Sequence, residues 1–224
     1  MNDRVKSEHK QGGSAMNKIA YLYVFDTMAD WEIGYVTAEL HCGRYFKKGV
    51  TKYTVRTVGL TTGPIVTMGG VRIIPDISLE KCTSDNAGVL LLPGGDTWLD
   101  PIHGPVVEKV KEFLHADVLV AAICGATFCL AQAGLLNDRE HTSNDLDYMK
   151  AIIPGYTGGS LYRHEPAVAD RNLITASGIA PLEFTHMVLQ ELDVFSPQAL
   201  EAWYKLYRTH DAKYFYALMG SLQN

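Results

Sequence analysis

An apolar run from Val118 to Ile123 leads directly into a helical pattern, with Cys124 at the junction. Uninterrupted apolar residues are typical of a strand that is buried on both faces, as in a parallel sheet. Gly125 and Ala126 are small enough for the sharp strand–turn–helix of a nucleophile elbow. The positive end of the following helix would favour the thiolate. The alternative is that Cys124 is one more small buried hydrophobic residue, as free cysteines often are.

Strand-like and helix-like segments alternate along the rest of the chain. We predict strands at 19–25, 51–58, 87–92, 118–123 and 173–175, and shorter β segments at 65–66, 71–74, near 162 and at 164–168. We predict helices at 31–40, 105–115, after Cys124, at 145–152 and 181–192, and from Ser196 through Tyr204 or as far as Leu218. This alternation indicates an α/β fold with a mostly parallel sheet covered on both faces. We expect one domain over 16–224, preceded at 1–15 by a disordered extension or expression remnant.

The composition excludes several classes of function. The net charge of −5 and the pI near 5.9 argue against a nucleic-acid-binding protein, which usually has a basic face. No apolar run reaches the roughly 18 residues that a membrane span requires. We therefore expect a cytoplasmic protein that does not contact a membrane. The four cysteines form no CxxC pair and the eight histidines are dispersed, so we expect neither disulfides nor a metal or other cofactor.

Three segments with reactive or flexible residues follow predicted parallel strands. Glu32 follows the first strand, Gly95 follows the strand at 87–92, and Cys124 follows the strand at 118–123. The carboxyl ends of parallel strands meet at one edge of the sheet, where ligands of open α/β folds bind. A carboxylate that reaches the thiol could share its proton, and the N–H groups of Gly95 and Gly125 could stabilise an oxyanion. Glu32 could instead only stabilise the start of its helix through the helix dipole.

Several segments match a known family in order and spacing. They are LPGG at 92–95, AICG at 122–125 with LAQAGLL at 130–136, HTSN at 141–144, and NLITASG at 172–178 followed by Glu183 and Phe184. With these segments the chain resembles the ThiJ/PfpI family of the class I glutamine amidotransferase-like superfamily. The resemblance implies a flavodoxin-like three-layer sandwich with a nucleophile elbow and extra C-terminal helices, frequently homodimeric. It also implies that Cys124 is the nucleophile, Glu32 its acidic partner, and Gly95 and Gly125 the oxyanion donors.

The chain also departs from the family pattern. Many relatives carry a histidine about 20 positions after the nucleophile, where this sequence has Asn144. We therefore consider His141 as the catalytic acid or base, with His164 as another candidate, because a general base must lie within hydrogen-bond reach. Asn144 could orient a substrate or polarise its carbonyl. Glutamine hydrolysis is disfavoured because Ile123 stands where true glutaminase domains have glycine.

Two classes of function remain open. In the first, Cys124 attacks an electrophilic carbon of a small carbonyl, amide or nitrile-like substrate, so that the protein is a cysteine-dependent hydrolase or lyase. In the second, Cys124 is reversibly oxidised and the protein is a redox or stress sensor, which the missing histidine favours. Glutamine amidotransferase-type activity and a non-catalytic dimerisation module rank below both. The partners expected are a small-molecule substrate and a second copy of the chain.

Overall fold

The structure is a computed structural model that describes residues 18–222, so the extension predicted at 1–15 lies outside the described residues. The strands are β1 (Ile19–Tyr23), β2 (Thr54–Gly59), β3 (Ile65–Val66), β4 (Arg72–Ile73), β5 (Ile77–Ser78), β6 (Ala87–Leu92), β7 (Leu119–Ile123), β8 (Ala167–Asp170) and β9 (Leu173–Ala176). The α-helices are α1 (Gly34–Cys42), α2 (Gly104–His115), α3 (Gly125–Gln132), α4 (Leu146–Ile152), α5 (Pro181–Glu191), α6 (Pro197–Thr209) and α7 (Lys213–Ser221).

Seven of the strands form one twisted sheet in the order β5-β2-β1-β6-β7-β9-β8. Every neighbouring pair is parallel except β8 and β9, which form an antiparallel hairpin at one edge. Strands β3 and β4 form a separate antiparallel hairpin. The predicted α/β fold with a mostly parallel, flavodoxin-like sheet is confirmed. Because β1, β6 and β7 run in the same direction, the segments that follow them meet at one edge of the sheet.

The hydrophobic core surrounds the central strands. All five residues of β7 are buried, and so are all residues of β6 after Ala87. Helices α2, α3 and α5 contact β7. Apolar side chains on both faces of β7 are therefore covered, which explains why its sequence is uninterruptedly apolar instead of alternating. This burial fixes the position of the residue that follows β7.

The C-terminal helices differ in part from the prediction. The Oγ of Ser196 accepts a hydrogen bond from the Ala199 N–H (3.1 Å), so Ser196 caps α6 as its sequence position predicts. The helical segment does not run unbroken to Leu218, because His210 has a left-handed backbone (φ 58°) and ends α6. Helix α7 then begins at Lys213 and packs on α6. None of the helices within 18–222 is both long and apolar enough to cross a bilayer.

Candidate active site

Cys124 lies in the sharp turn between β7 and α3. Its backbone has φ 59° and ψ −127°, in a region that residues with a Cβ rarely adopt. Two hydrogen bonds hold this conformation: the Cys124 N–H donates to the Ala176 carbonyl (2.9 Å), and the Thr127 N–H donates to the Cys124 carbonyl (3.0 Å). The sulfur is thereby displayed at the carboxyl edge of the sheet, in the geometry of a nucleophile elbow.

The carboxyl group of Glu32 is fully buried beside the sulfur. Glu32 belongs to a 3₁₀ turn, Asp30–Glu32, that follows β1. Its Oε2 accepts a hydrogen bond from the Gly94 N–H. Its Oε1 is buried and has no N–H or O–H donor among the described residues. A Cβ placed on Gly94 would lie 2.8 Å from Oε1 and 2.9 Å from the Cys124 Sγ, so Gly94 leaves room for this oxygen and sulfur side by side.

Burial perturbs both acids of this pair. It raises the pKa of Glu32 above its ordinary value, although the Gly94 N–H and the neighbouring thiol oppose the shift. Burial, followed by the charge of Glu32, raises the pKa of Cys124 to about 11. The helix end does favour the thiolate, since the Gly125 N–H lowers the pKa of Cys124, but burial and the charge of Glu32 outweigh it.

Asn144 donates a hydrogen bond from Nδ2 to the Cys124 sulfur (3.3 Å). Its Oδ1 accepts the Gly178 N–H (2.8 Å), and since an N–H needs an acceptor, this bond fixes which end of the amide faces the sulfur. The Trp31 indole N–H donates to the Gly178 carbonyl (3.2 Å) and helps to fix the position of Gly178. Asn144 lowers the pKa of Cys124. A neutral amide cannot accept the thiol proton. Asn144 can therefore polarise the Cys124 thiol through its N–H, but it cannot act as the base.

Two backbone N–H groups border the sulfur. The Gly125 N–H donates to the Cys124 sulfur and lowers the pKa of the thiol. The Gly95 N–H has no acceptor within residues 18–222. A Cβ on Gly125 would lie 2.7 Å from the Gly95 carbonyl oxygen, which shows how closely the two segments approach. The Gly95 N–H is thus available to an oxygen that develops negative charge beside the sulfur, whereas the Gly125 N–H must turn from the sulfur to that oxygen.

A cleft of about 290 Å³ opens over Cys124. Its lining combines polar groups with aromatic and aliphatic side chains, which come from the segment after β6 and from α3 and α4: Trp98, Leu99, Phe128, Tyr148 and Ile152. Asp96 supplies the one carboxylate of the lining. The sequence of α4 does not indicate that this helix lines the cleft, because nothing in its amphipathic pattern shows which neighbour it faces. No cluster of three potential metal ligands occurs in the described part of the chain.

The family model described as DJ-1/PfpI family matches residues 18–191. The chain belongs to the DJ-1/PfpI family. It is 53% identical over 202 residues to "Uncharacterized protease YoaZ" of Bacillus subtilis (strain 168), covering 90% of this chain and 96% of that protein. The crystal structure of a thiJ/pfpI family protein from Bacillus anthracis superposes with a TM-score of 0.89 at 51% identity, covering 93% of this chain and 98% of that one. "Glutathione-independent glyoxalase DJR-1.2" of Caenorhabditis elegans is 26% identical over 140 residues, covering 60% of this chain and 71% of that protein.

This membership confirms the resemblance that the sequence motifs predict. The structure also brings together five of the six predicted site residues of this DJ-1/PfpI chain: Cys124, Glu32, Gly95, Gly125 and Asn144. In the sequence, Gly178 stands out only as part of the motif NLITASG, yet a Cβ on it would lie 2.7 Å from the Cys124 sulfur. Its position inside a family motif is the one signal in the sequence that could have indicated this role.

His141, the sixth predicted residue, does not join the site. Its ring is fully buried, with Nδ1 2.7 Å from the Arg139 carbonyl and Nε2 2.6 Å from the Tyr156 hydroxyl. A carbonyl can only accept, so Nδ1 carries the proton and Nε2 accepts from Tyr156. Both nitrogens are occupied and burial lowers the pKa of the ring, so the prediction that His141 is catalytic is corrected to a structural role. His164 is exposed against the Tyr162 ring and makes no hydrogen bond to Cys124.

Proposed function

We propose that the protein is a cysteine-dependent enzyme, a hydrolase or lyase, that acts on a small carbonyl compound or amide through Cys124. The observation that carries the proposal is the buried Glu32 Oε1, which lies beside the sulfur and has no N–H or O–H donor within residues 18–222. A carboxylate in this position accepts the proton that a thiol loses as it attacks. Glu32 therefore takes the part that a histidine plays in many relatives.

The reaction begins with the neutral thiol and the carboxylate. As the sulfur attacks the electrophilic carbon, the Cys124 proton moves to Glu32 Oε1 and a carbon–sulfur bond forms. The electron pair of the carbonyl π bond moves to oxygen, where the Gly95 and Gly125 N–H groups stabilise the negative charge. With an amide, Glu32 then gives its proton to the nitrogen as the carbon–nitrogen bond breaks, and water hydrolyses the resulting thioester to a carboxylic acid and the free thiol. With an aldehyde, Glu32 gives its proton to the oxyanion of the adduct. Because burial raises the pKa of Glu32, its carboxylate is a stronger base toward the thiol proton than an exposed glutamate is.

The substrate is a small molecule with an apolar group. A cleft of about 290 Å³ is at the lower limit of ligand pockets, and aromatic and aliphatic side chains line part of it. Two relatives are named as an uncharacterised protease and a glyoxalase, names that correspond to amide and 2-oxoaldehyde substrates. Both chemistries begin with attack of a nucleophile on a carbonyl carbon.

The experiment is to incubate the protein with methylglyoxal and, separately, with N-acetyl-leucine p-nitroanilide. We expect turnover of at least one of them and a covalent adduct on Cys124 by peptide mass spectrometry, both absent in Cys124→Ala. Cys82 and Cys129 are internal controls, since burial raises the pKa of each thiol, to about 12 and about 11 respectively. Neither turnover nor an adduct with either substrate would contradict the proposal.

The redox-sensor alternative predicts a different outcome of the same study. Peroxide reacts with thiolates, and a pKa of about 11 leaves little thiolate on Cys124 at neutral pH. This raised pKa of Cys124 therefore favours an attack that is coupled to proton transfer over spontaneous oxidation. Peroxide oxidation of Cys124 that is much faster than that of the exposed Cys42, without turnover of any carbonyl substrate, would favour the sensor.

We also infer a homodimer. The β3–β4 hairpin and its flanks expose four apolar side chains, Val66, Met68, Val71 and Ile74, each 44–69% exposed. Apolar patches of this kind are usually covered by a partner, and a two-fold dimer is the commonest arrangement. Light scattering should give twice the chain mass of 24.7 kDa. Val71→Lys with Ile74→Lys should give the monomer mass, whereas the control Tyr216→Lys on α7 should not; a monomeric wild type contradicts the inference.

A further inference from the structure

A second cavity, of about 430 Å³, lies beside the carboxyl ends of β1 and β2. Its walls come from the end of β1, from the loop after β2 and from the segment between β6 and α2. It shares no lining residue with the cleft at Cys124. The Phe25 ring separates the two, because it lines this cavity and lies 2.6 Å from the position of a Cβ on Gly95. The cavity adjoins β1, where the strand order reverses, and open α/β sheets bind ligands at such points.

A buried hydrogen-bond chain ends at this cavity. Tyr23 is fully buried and its hydroxyl lies 3.0 Å from His103 Nδ1, its one partner in the described structure. Burial raises the pKa of Tyr23 and lowers that of His103, so both are neutral. A buried phenol must donate its proton, so Nδ1 accepts and Nε2 carries the ring proton. Nε2 then donates to the Thr97 Oγ1 (3.0 Å).

This series of hydrogen bonds leaves one donor, the Thr97 hydroxyl, free to bind a ligand. Thr97 lines the cavity, and its Oγ1 already accepts from His103. The proton of the Thr97 hydroxyl has no acceptor within residues 18–222. An oxygen of a bound molecule can accept it. The buried Tyr23–His103 pair, which the proposed reaction does not use, thus sets the polarity of the Thr97 hydroxyl.

The charges of the cavity are negative. Asp26 and Asp100 line it, and no lysine or arginine does. One oxygen of Asp26 accepts the Val66 N–H (2.7 Å), which leaves the other free. The Asp100 side chain makes no capping bond to the turn that follows it. The rest of the lining is mainly apolar, through Val24, Phe25, Leu60, Pro64, Ile65 and Ile102.

We propose that this cavity binds a small organic cation that combines an ammonium group, a hydroxyl oxygen and a branched apolar chain, as an amino alcohol does. The ammonium group pairs with Asp26 and Asp100. The hydroxyl oxygen accepts the proton of Thr97. The apolar chain packs against the Phe25, Leu60 and Ile65 side of the cavity. The site is distinct from the Cys124 cleft, and its occupation does not depend on the reaction proposed for that cleft.

Isothermal titration calorimetry with L-leucinol tests this site. We expect a dissociation constant on the order of 1 mM, in keeping with a ligand of this size. Two matched probes separate the contacts: 4-methylpentan-1-ol lacks the ammonium group, and isopentylamine lacks the hydroxymethyl group. The alcohol should not bind, and the amine should bind more weakly than leucinol. Absence of leucinol binding up to about 10 mM, or equal binding of the alcohol, overturns the proposal.

Variants locate the bound molecule. Asp26→Asn with Asp100→Asn should weaken leucinol binding about tenfold or more, because hydrogen bonds to charged groups are lost. Asp26→Asn keeps a side-chain oxygen that can accept the Val66 N–H. The β3–β4 hairpin therefore keeps its hydrogen bond to the segment after β1. Thr97→Val should weaken leucinol but not isopentylamine, whereas Thr97→Ser should bind both as the wild type does. Alkylation of Cys124 should leave binding unchanged. Binding that survives the double asparagine variant, or is lost on alkylation, refutes the site.

Discussion

Replacing Glu32 by glutamine is expected to reduce turnover by about 10²–10⁴-fold, the usual contribution of a general base. The same change should lower the pKa of Cys124 below about 11, because the charge of Glu32 opposes ionisation of the thiol. Catalysis and thiol acidity thus change in opposite directions. The pH dependence of iodoacetamide alkylation, followed by peptide mass spectrometry, measures the second effect. A pKa of Cys124 that rises in Glu32→Gln would contradict the arrangement.

Glu32→Leu is the matched comparison. Glutamine keeps an oxygen for the Gly94 N–H and offers an N–H to the sulfur, whereas leucine offers neither. Cys124 should therefore be more reactive in the glutamine variant than in the leucine variant. Equal alkylation rates in both would show that the side chain at position 32 does not contact the thiol productively.

The raised pKa of Glu32 also fixes the sign of two pH effects. Below this pKa the carboxyl is protonated and cannot take the thiol proton, so turnover of the wild type should fall on acidification through a pKa above 4.5. Folding opposes ionisation of a group whose pKa it raises, so the charged form costs stability at pH 7. Glu32→Gln should therefore have a higher Tm than the wild type at pH 7, and the difference should disappear as the pH is lowered.

Gly94→Ala is expected to inactivate the site while leaving every titratable group in place. The added Cβ would lie 2.5 Å from the Cys124 Cβ, and its contacts with Glu32 Oε1 and the Cys124 sulfur would be shorter than 3.0 Å. Since the clash involves two atoms of a strained turn, the sulfur and the carboxyl must move apart. We expect turnover to fall at least about 10²-fold, the effect of a displacement near 1 Å. The free energy of unfolding should fall by about 1–3 kcal/mol, as in other overpacked cores.

Gly155→Ala is the control for this substitution, because no heavy atom lies within 4 Å of the Cβ it would add. It should retain wild-type turnover and Tm. Gly178→Ala should resemble Gly94→Ala, since its Cβ would approach the sulfur from another side of the site. Denaturant unfolding and turnover, measured on the three variants, test whether Gly94 and Gly178 must lack a side chain. Wild-type turnover in Gly94→Ala would mean that Glu32 and Cys124 need not be adjacent.

Much of the fold follows from local sequence patterns. The uninterrupted apolar run of β7 predicts burial on both faces, and the small residues after Cys124 predict the turn into α3. The predicted elbow and mostly parallel sheet are therefore recovered from short segments. By contrast, β5 has only two residues and no apolar run, so no local pattern marks it. The break between α6 and α7 is missed for a similar reason, because the left-handed residue is His210, not glycine.

The site is predictable where the chain order determines it. Glu32, Gly95 and Cys124 follow parallel strands, and the carboxyl ends of such strands meet at one edge for any sequence that forms the sheet. Asn144 lies at the position that family spacing indicates, and the structure places its amide on the sulfur. His141 is only three positions earlier, yet its ring points to Tyr156. Spacing along a loop does not determine the direction of a side chain.

The sequence by itself therefore determined the strand–elbow–helix unit, the parallel sheet and the edge at which the site forms, because these depend on short-range patterns and on chain direction. Only the tertiary structure decided the ionisation of Cys124, because burial and the charge of Glu32 outweigh the helix end that the sequence displays. It alone also decided which glycines must lack a side chain and where a second cavity opens. These properties arise from contacts between residues far apart in the chain, such as Gly94, Cys124 and Gly178, whose distances packing sets.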